Sequence, residues 1–462
     1  MMINRRLAHC LVLLSSVLTV ANAADSPKPN LLFFLIDDQR NDTLGCAGHP
    51  IIKTPVIDSL AAEGVRFENA FVTTPICAAS RASIFTGLHE TTHGFTFGKP
   101  PLKKGQIDNS YSMLLHKAGY RTGFIGKYGV KTEGEPEAEM FDLFEPHDRL
   151  PFLVKQKDGT LRHESEVAAD KAIQFLKGNT DGQPFCLSVS FKASHAKDGD
   201  LKNHFPSSKA VEGMYEDIEI PAPRLNDKSI YENHPDFFKA SSMARKRFYW
   251  RWDTPEKYQK NMKGYFRMIS GVDHAIGRVR ESLEKTGLAG NTIIIYMGDN
   301  GYFMGDRGFA GKWSHYEQSL RVPLIVFDPR AAKEKRGKVV SQPTLNIDLA
   351  PTLIELAGIA QPKQYQGSSY VPLLNGKTPS NWRKDFFCEH LMENKSIPKW
   401  EGVRGERFVY AHYFDQDPGY EFLHDLKADP DQLINLAKKP EYKMKLIEMR
   451  QRCRDIKTPL KP

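Results

Sequence analysis

Cys77 precedes Arg81 by four residues in the run Pro75-Ile76-Cys77-Ala78-Ala79-Ser80-Arg81-Ala82-Ser83-Ile84-Phe85-Thr86-Gly87. A cysteine that opens a helix gains the positive end of the helix dipole, and a guanidinium one turn on lies on the same face. This spacing marks Cys77 as the reactive centre; the competing reading is a small buried apolar residue beside a solvated arginine. Asp37 and Asp38 directly follow the apolar run at 30–36. Adjacent carboxylates at the end of a buried strand repel each other, and a divalent cation would neutralise them. All-oxygen ligands favour Ca²⁺ or Mg²⁺ over zinc. Alone, the pair would serve equally well as two solvated loop acids. Lys127 after Gly126, His195 after Ala193-Ser194, Asp299 and Asn300 between two glycines, and Lys312 after Gly311 are the other groups placed to do chemistry.

Those residues need elements to bring them together. The runs at 30–36 and 292–297 are continuously apolar, the pattern of strands buried on both faces of a parallel sheet, and 121–125 and 185–191 read as further strands. Each leaves a polar group just beyond its C-terminal end: Asp37 and Asp38, Lys127, His195, or Asp299 and Asn300. That edge of an open α/β sheet is where ligands bind. A lone histidine or Gly-Lys after a strand is usually ordinary loop; shared placement makes these a site. Residues 322–327 form one more strand. Apolar spacing predicts helices from Pro55 to Gly64, behind Cys77, at 111–118, at 164–177, across 255–286 and at 347–357. Residues 131–160 read as polar surface loop, and 196–258 as an irregular lid or substrate-facing insertion. Beyond Gly376, alternating strands and a closing helix at 441–456 predict a smaller α+β domain with an antiparallel sheet. The expected division is a catalytic α/β domain at 24–376, its large mostly parallel sheet sandwiched by helices, and a C-terminal domain at 377–462.

The N-terminus has the parts of a signal peptide: Arg5 and Arg6, an apolar stretch at 11–20, and Ala21-Asn22-Ala23 as a cleavage site. Cleavage after Ala23 predicts export. No later stretch approaches the roughly 20 apolar residues of a bilayer-crossing helix, so no membrane span is expected after processing. Cys46, Cys77, Cys186, Cys388 and Cys453 remain, scattered without a framework spacing; Cys186 reads as core, and no particular bridge is supported. The net charge of +8 falls to +6 when Arg5 and Arg6 leave. The charges are spread rather than blocked, which argues against nucleic acid.

The Cys77-Ala78-Ala79-Ser80-Arg81 run followed by Thr86-Gly87 resembles the signature of the type I sulfatases, of the alkaline phosphatase-like superfamily. Asp37-Asp38, Gly126-Lys127, Gly298-Asp299-Asn300-Gly301 and Gly311-Lys312 are similar to that family in order and flanking sequence, and the likeness spans about 30 to about 440. The resemblance implies a sulfuric ester hydrolase whose Cys77 is oxidised to formylglycine (3-oxoalanine) by a maturation enzyme. It further implies one Ca²⁺ held by Asp37, Asp38, Asp299, Asn300 and the converted Cys77 side chain, with Mg²⁺ the other cation such acids accept. Arg81 would orient the aldehyde hydrate, Lys127 and Lys312 would neutralise sulfuryl oxygens, and His195 with Lys312 would assist the departing alcohol. One hydroxyl of the hydrate attacks sulfur, and the other then expels sulfate.

One position departs from the pattern: where the family has His two residues after the lysine, this chain has Gly129. The missing imidazole leaves space, so Gly129→His should be tolerated, or should obstruct substrate if the gap is a subsite. His93 is one substitute helper; a structural role is the other reading. A phosphoesterase of the same superfamily would share the acids but use Thr or Ser as nucleophile, and a non-catalytic binder of sulfated glycans would leave Cys77 unconverted. The expected substrate is a sulfated carbohydrate, with small sulfate esters second. The expected location is periplasmic or extracellular, or lysosomal in a eukaryote.

Overall fold

The computed structural model describes residues 27–460 apart from 98, 240 and 241, so the expected signal peptide lies outside the described residues. Strand Asn30–Ile36 is buried at all seven positions because it has a neighbour on each edge and helices on each face. Phe185–Ser190 pairs with it on one side and Thr292–Gly298 on the other, both parallel, with Leu32 level with Leu187 and Ile294. Beyond Phe185–Ser190 follow Arg121–Gly126 and then Leu143–Pro146, also parallel. Beyond Thr292–Gly298 comes Leu324–Phe327, antiparallel to both its neighbours, then Val65–Phe67 and, at the edge, Lys338–Val340. The eight-stranded sheet is thus parallel apart from one strand.

The two-residue period of the central strand divides the core. Leu32, Phe34 and Ile36 face a cluster supplied by helices Pro55–Glu63, Glu164–Lys177 and Pro255–Lys285. Leu31, Phe33 and Leu35 face the opposite cluster, which includes helices Cys77–Thr86, Tyr111–Lys117 and Leu349–Leu356. The 31-residue helix Pro255–Lys285 starts where Thr254 accepts the Lys257 N–H and Pro255 occupies the first turn.

A four-stranded antiparallel sheet follows: Asp385–His390, Trp400–Gly405, Phe408–Tyr413 and Tyr420–Asp425. One face carries Phe387, Val403, Tyr410 and Leu423 against Leu446, Met449 and Cys453 of helix Lys443–Lys457. The other face, with Phe386, Cys388, Trp400 and Phe422, joins the core of the large sheet.

The 131–160 stretch is not simple loop. It contributes the edge strand Leu143–Pro146 and the strand Leu153–Lys155, which pairs with Leu161–His163. Its residues are half-buried or exposed, so no apolar run betrays the edge strand. All five cysteines among the described residues are free. Among the described residues no helix is long and apolar enough to cross a membrane.

Candidate active site

Three strand ends are laced together at one edge of the sheet. Asp37 N–H donates to the Ala193 carbonyl at 3.1 Å, Ser194 N–H to the Asp37 carbonyl at 2.8 Å, and Asp299 N–H to the Ile36 carbonyl at 2.9 Å. Asp37, Asp38, Asp299 and Asn300 are all enclosed, with at most 1 % exposure. Asp38 adopts a left-handed φ of 53°, uncommon outside glycine, and its carbonyl accepts from Tyr265 Oη at 2.9 Å and Ser194 Oγ at 3.2 Å. Its N–H reaches Asp299 Oδ1 at 3.2 Å, and Asn300 Nδ2 donates to Asp38 Oδ1 at 2.7 Å.

This donor set fits a hard cation. Asp37 Oδ1 and Asn300 Oδ1 are buried oxygens with no hydrogen-bond partner, which is costly unless an ion or donor meets them. Ligand atoms of Asp37, Asp38 and His195 lie within 4.8 Å of one another. Burial raises Asp37, but Lys127, His195, Arg81 and Lys312 outweigh it and hold the carboxyl well below its usual range. Asp299 goes the other way: burial and the neighbouring Asp37 push it up to about 7, against Arg81 and Lys127. Lys127 Nζ pairs with Asp37 Oδ2 and Lys312 Nζ with Asp38 Oδ1. Burial disfavours both ammoniums, yet Asp37 on Lys127 and Asp38 on Lys312 leave both raised.

Cys77 is the first residue of a ten-residue helix buried throughout, entered from extended Ile76 and closed by Gly87 at φ 67°. Arg81, one turn on and 1 % exposed, ties this helix to the strand ends. Its Nε donates to Asp299 Oδ2 at 2.9 Å, and its Nη1 to Ser190 Oγ and the Lys127 carbonyl. The expected activation of the thiol does not follow. Burial pushes the Cys77 thiol up, and Lys127 and Lys312 recover only part of that. An unmodified Cys77 is therefore a poor thiolate, because burial comes first and the carboxylates of Asp37 and Asp299 add to it.

His195 donates from Nδ1 to the Ala196 carbonyl at 2.7 Å, which turns Nε2 toward Asp38 Oδ2 at 3.7 Å. Burial lowers its basicity despite Asp38 and Asp37. His93 is not at this cluster: Nδ1 accepts the Phe95 N–H at 3.0 Å and Nε2 meets Ser83 Oγ at 3.1 Å, a structural role. Gly129 also differs from expectation. Its φ is 66°, and a Cβ there would lie 3.2 Å from Arg81 Cδ, so the position is not open space and a side chain would be strained. Asp148 accepts the N–H groups of Tyr128 and Gly129, both at 2.9 Å. Ser190, Ser194, Tyr265 and Asp148 were missed from the sequence. Only Ser190 had a usable signal, as the last residue of a strand that ends at the site.

A mostly parallel sheet with buried acids and lysines at its strand ends is the alkaline phosphatase-like fold. Residues 29–359 match the Sulfatase family, so the chain belongs to that family and is a sulfatase. Residues 305–458 match the family described as N-sulphoglucosamine sulphohydrolase, C-terminal. An N-acetylglucosamine-6-O-sulfatase of Bacteroides thetaiotaomicron is 30% identical over 96% of this chain and 89% of its own. An arylsulfatase of Clostridium perfringens is 29% identical over 92% and 93%. A structure solved in complex with its substrate D-glucosamine-2-N,6-O-disulfate superposes with a TM-score of 0.82, at 27% identity, over 94% of this chain and 98% of that one. A phosphonate monoester hydrolase of Agrobacterium radiobacter shares the fold, with a TM-score of 0.79 at 24% identity over 94% and 96%.

Proposed function

We propose that this sulfatase is exported after cleavage behind Ala23 and removes a sulfate ester from a sugar, with 24–376 as its catalytic domain and 377–462 as its C-terminal domain. The observation that carries the reading is the convergence of the Cys77 helix, locked through Arg81 to Asp299, on the carboxylates and lysines at the strand ends. Asp37, Asp38, Asp299, Asn300 and the converted Cys77 side chain would hold Ca²⁺, which supplies a Lewis acid for a sulfate oxygen. Cys77, oxidised to 3-oxoalanine by a maturation enzyme, supplies a hydrated aldehyde as nucleophile.

The chain's other residues divide the remaining work. Lys127 and Lys312 already face the acids and offer ammonium protons to sulfuryl oxygens, so they stabilise charge that grows as the S–O bond breaks. Arg81, fixed by Asp299 and Ser190, holds the helix that Cys77 opens against the cluster. His195, its Nδ1 proton held on the Ala196 carbonyl, presents Nε2 to the departing oxygen, and the Lys312 ammonium, kept protonated by Asp38, supplies the proton. The relatives named for N-acetylglucosamine-6-O-sulfatase activity and for a disulfated glucosamine support an amino-sugar sulfate as substrate class.

Cys77→Ala should abolish turnover of N-acetylglucosamine 6-sulfate and of 4-nitrophenyl sulfate while the thermal midpoint stays near wild type. A folded Cys77→Ala protein that still turns over either ester would contradict the reading. Wild-type protein that binds these esters without hydrolysing them would instead make it a glycan binder.

A further inference from the structure

Asp198 lies three residues past His195, outside the cluster just described. Its carboxylate joins two arginines from helix Met243–Arg251: Arg251 Nη2 on one oxygen and Arg247 Nη2 on the other. The two arginines are not equivalent. Arg251 is fully enclosed and extends Nη1 to Tyr302 Oη at 3.4 Å, two residues beyond Asn300, so it anchors the loop to the floor of the site. Arg247 keeps 17 % of its side chain exposed and Asp198 keeps 29 %, alongside 23 % for His195.

Arg247 is also tied to the catalytic lysine. Its guanidinium lies 5.0 Å from the centre of the Trp313 ring, and Lys312 Nζ lies 5.9 Å from the same ring. Trp313 is held by its N–H on the Pro75 carbonyl at 3.2 Å, two residues before Cys77, and by Trp400 Nε1 on its own carbonyl at 2.8 Å. Arg247 Nε is buried and makes no hydrogen bond, so it is not the part of this side chain that meets solvent. A carboxylate acceptor and a guanidinium donor therefore stand side by side, part open to solvent, next to His195 and Lys312.

We propose that Asp198 and Arg247 are the specificity pair for the alcohol half of the substrate, binding adjacent neutral hydroxyls of the sulfated sugar. This rests on the reading above, in which His195 and Lys312 face the departing oxygen. Neighbouring hydroxyls offer a donor and an acceptor at the spacing of a carboxylate beside a guanidinium. Each oxygen of Asp198 already meets one arginine, so the carboxylate offers a neighbouring hydroxyl its remaining lone pairs.

The test separates this pair from the catalytic reading by measuring binding as well as turnover. In a Cys77→Ala background, calorimetry should show N-acetylglucosamine 6-sulfate binding about tenfold tighter than inorganic sulfate. Adding Asp198→Asn or Arg247→Gln should weaken the sugar by about tenfold or more while sulfate weakens by less than about threefold. With Cys77 intact, the same substitutions should raise KM for the sugar sulfate by about tenfold and cost at least about tenfold less in kcat/KM on 4-nitrophenyl sulfate. Equal losses on sugar and sulfate, no loss at all, or a parent that binds the sugar no better than sulfate would each overturn the proposal. If Asp198→Asn unfolds because Arg251 is left unpaired, Arg247→Gln decides the matter, since it leaves the Asp198–Arg251 contact in place. A wild type that binds the sugar selectively but never cleaves it would sink the catalytic reading and leave the pair standing.

Discussion

The floor and the mouth of the site are built differently. The floor is Asp37, Asp38, Asp299 and Asn300, enclosed at the ends of two adjacent central strands and cross-bonded through the Ile36 and Ala193 carbonyls. The mouth is His195 and Asp198 on a loop and Arg247 on a nine-residue helix, all part exposed. A sheet fixes the floor because a strand cannot shift register without exposing every apolar side chain it buries. A loop and a short helix bear no such constraint, so the mouth is where one member of a family can differ from the next. Floor substitutions should therefore damage every sulfate ester alike, and mouth substitutions should discriminate among them.

The largest effect expected at the floor is loss of the cation. Chelation should take activity on both sugar and aryl sulfates to background, and Ca²⁺ should restore it. Ca²⁺ should also raise the thermal midpoint of the untreated apo protein, since a ligand bound only by the folded state stabilises it. Asp37→Asn should abolish that Ca²⁺-dependent rise; an unchanged rise would move the cation elsewhere. Next in size is Lys312→Ala, which should cost on the order of 10²–10³ in kcat on both esters. A loss confined to the sugar would transfer Lys312 from floor to mouth.

Gly129 sharpens the boundary between the two regions. Because its φ is 66° and Arg81 Cδ would lie 3.2 Å from a Cβ, Gly129→His should strain the chain by roughly 1–2 kcal/mol. It should also disturb Arg81, so kcat should fall on both esters by similar factors. A rise in KM for the sugar alone would instead place Gly129 at the mouth.

The smallest expected effect lies outside both regions. Burial pushes Glu90 up to about 7, against the hydrogen bond from Thr74 in the loop before Cys77. A carboxyl whose folded value exceeds its unfolded one is protonated more readily in the folded state, so its burial costs nothing below the unfolded value of 4.5 and progressively more as pH rises to about 7. Glu90→Gln should therefore match wild type near pH 4.5 and gain on it in thermal midpoint as pH rises to 7. Equal midpoint differences across that range would show that Glu90 does not titrate there.

The floor was legible in the sequence because its cause is local. A continuous apolar run such as 30–36 announces a strand buried on both faces, and the first polar residues after it must stand at the sheet edge. The runs 30–36 and 292–297 were found that way, 121–125 and 185–191 as further strands, and the Cys77-to-Arg81 spacing identified the helix that meets them. The strand Leu143–Pro146 was not legible, since at the sheet edge it is never fully buried and carries no period. The poor thiolate at Cys77 was hidden for a related reason: dipole and arginine are local, whereas burial and the carboxylates of Asp37 and Asp299 are tertiary. Gly129 looked like space because a sequence shows a missing side chain and not a left-handed backbone. Asp198 and Arg247, 49 residues apart, have no sequence pattern that joins them.

The most direct test is the chemical state of Cys77. Peptide mass spectrometry of protein produced with and without a formylglycine-generating enzyme should be set beside kcat for the same samples. The expected result is an aldehyde in place of the thiol at Cys77, with activity proportional to the converted fraction. Full activity from protein whose Cys77 is wholly unmodified thiol would contradict the account.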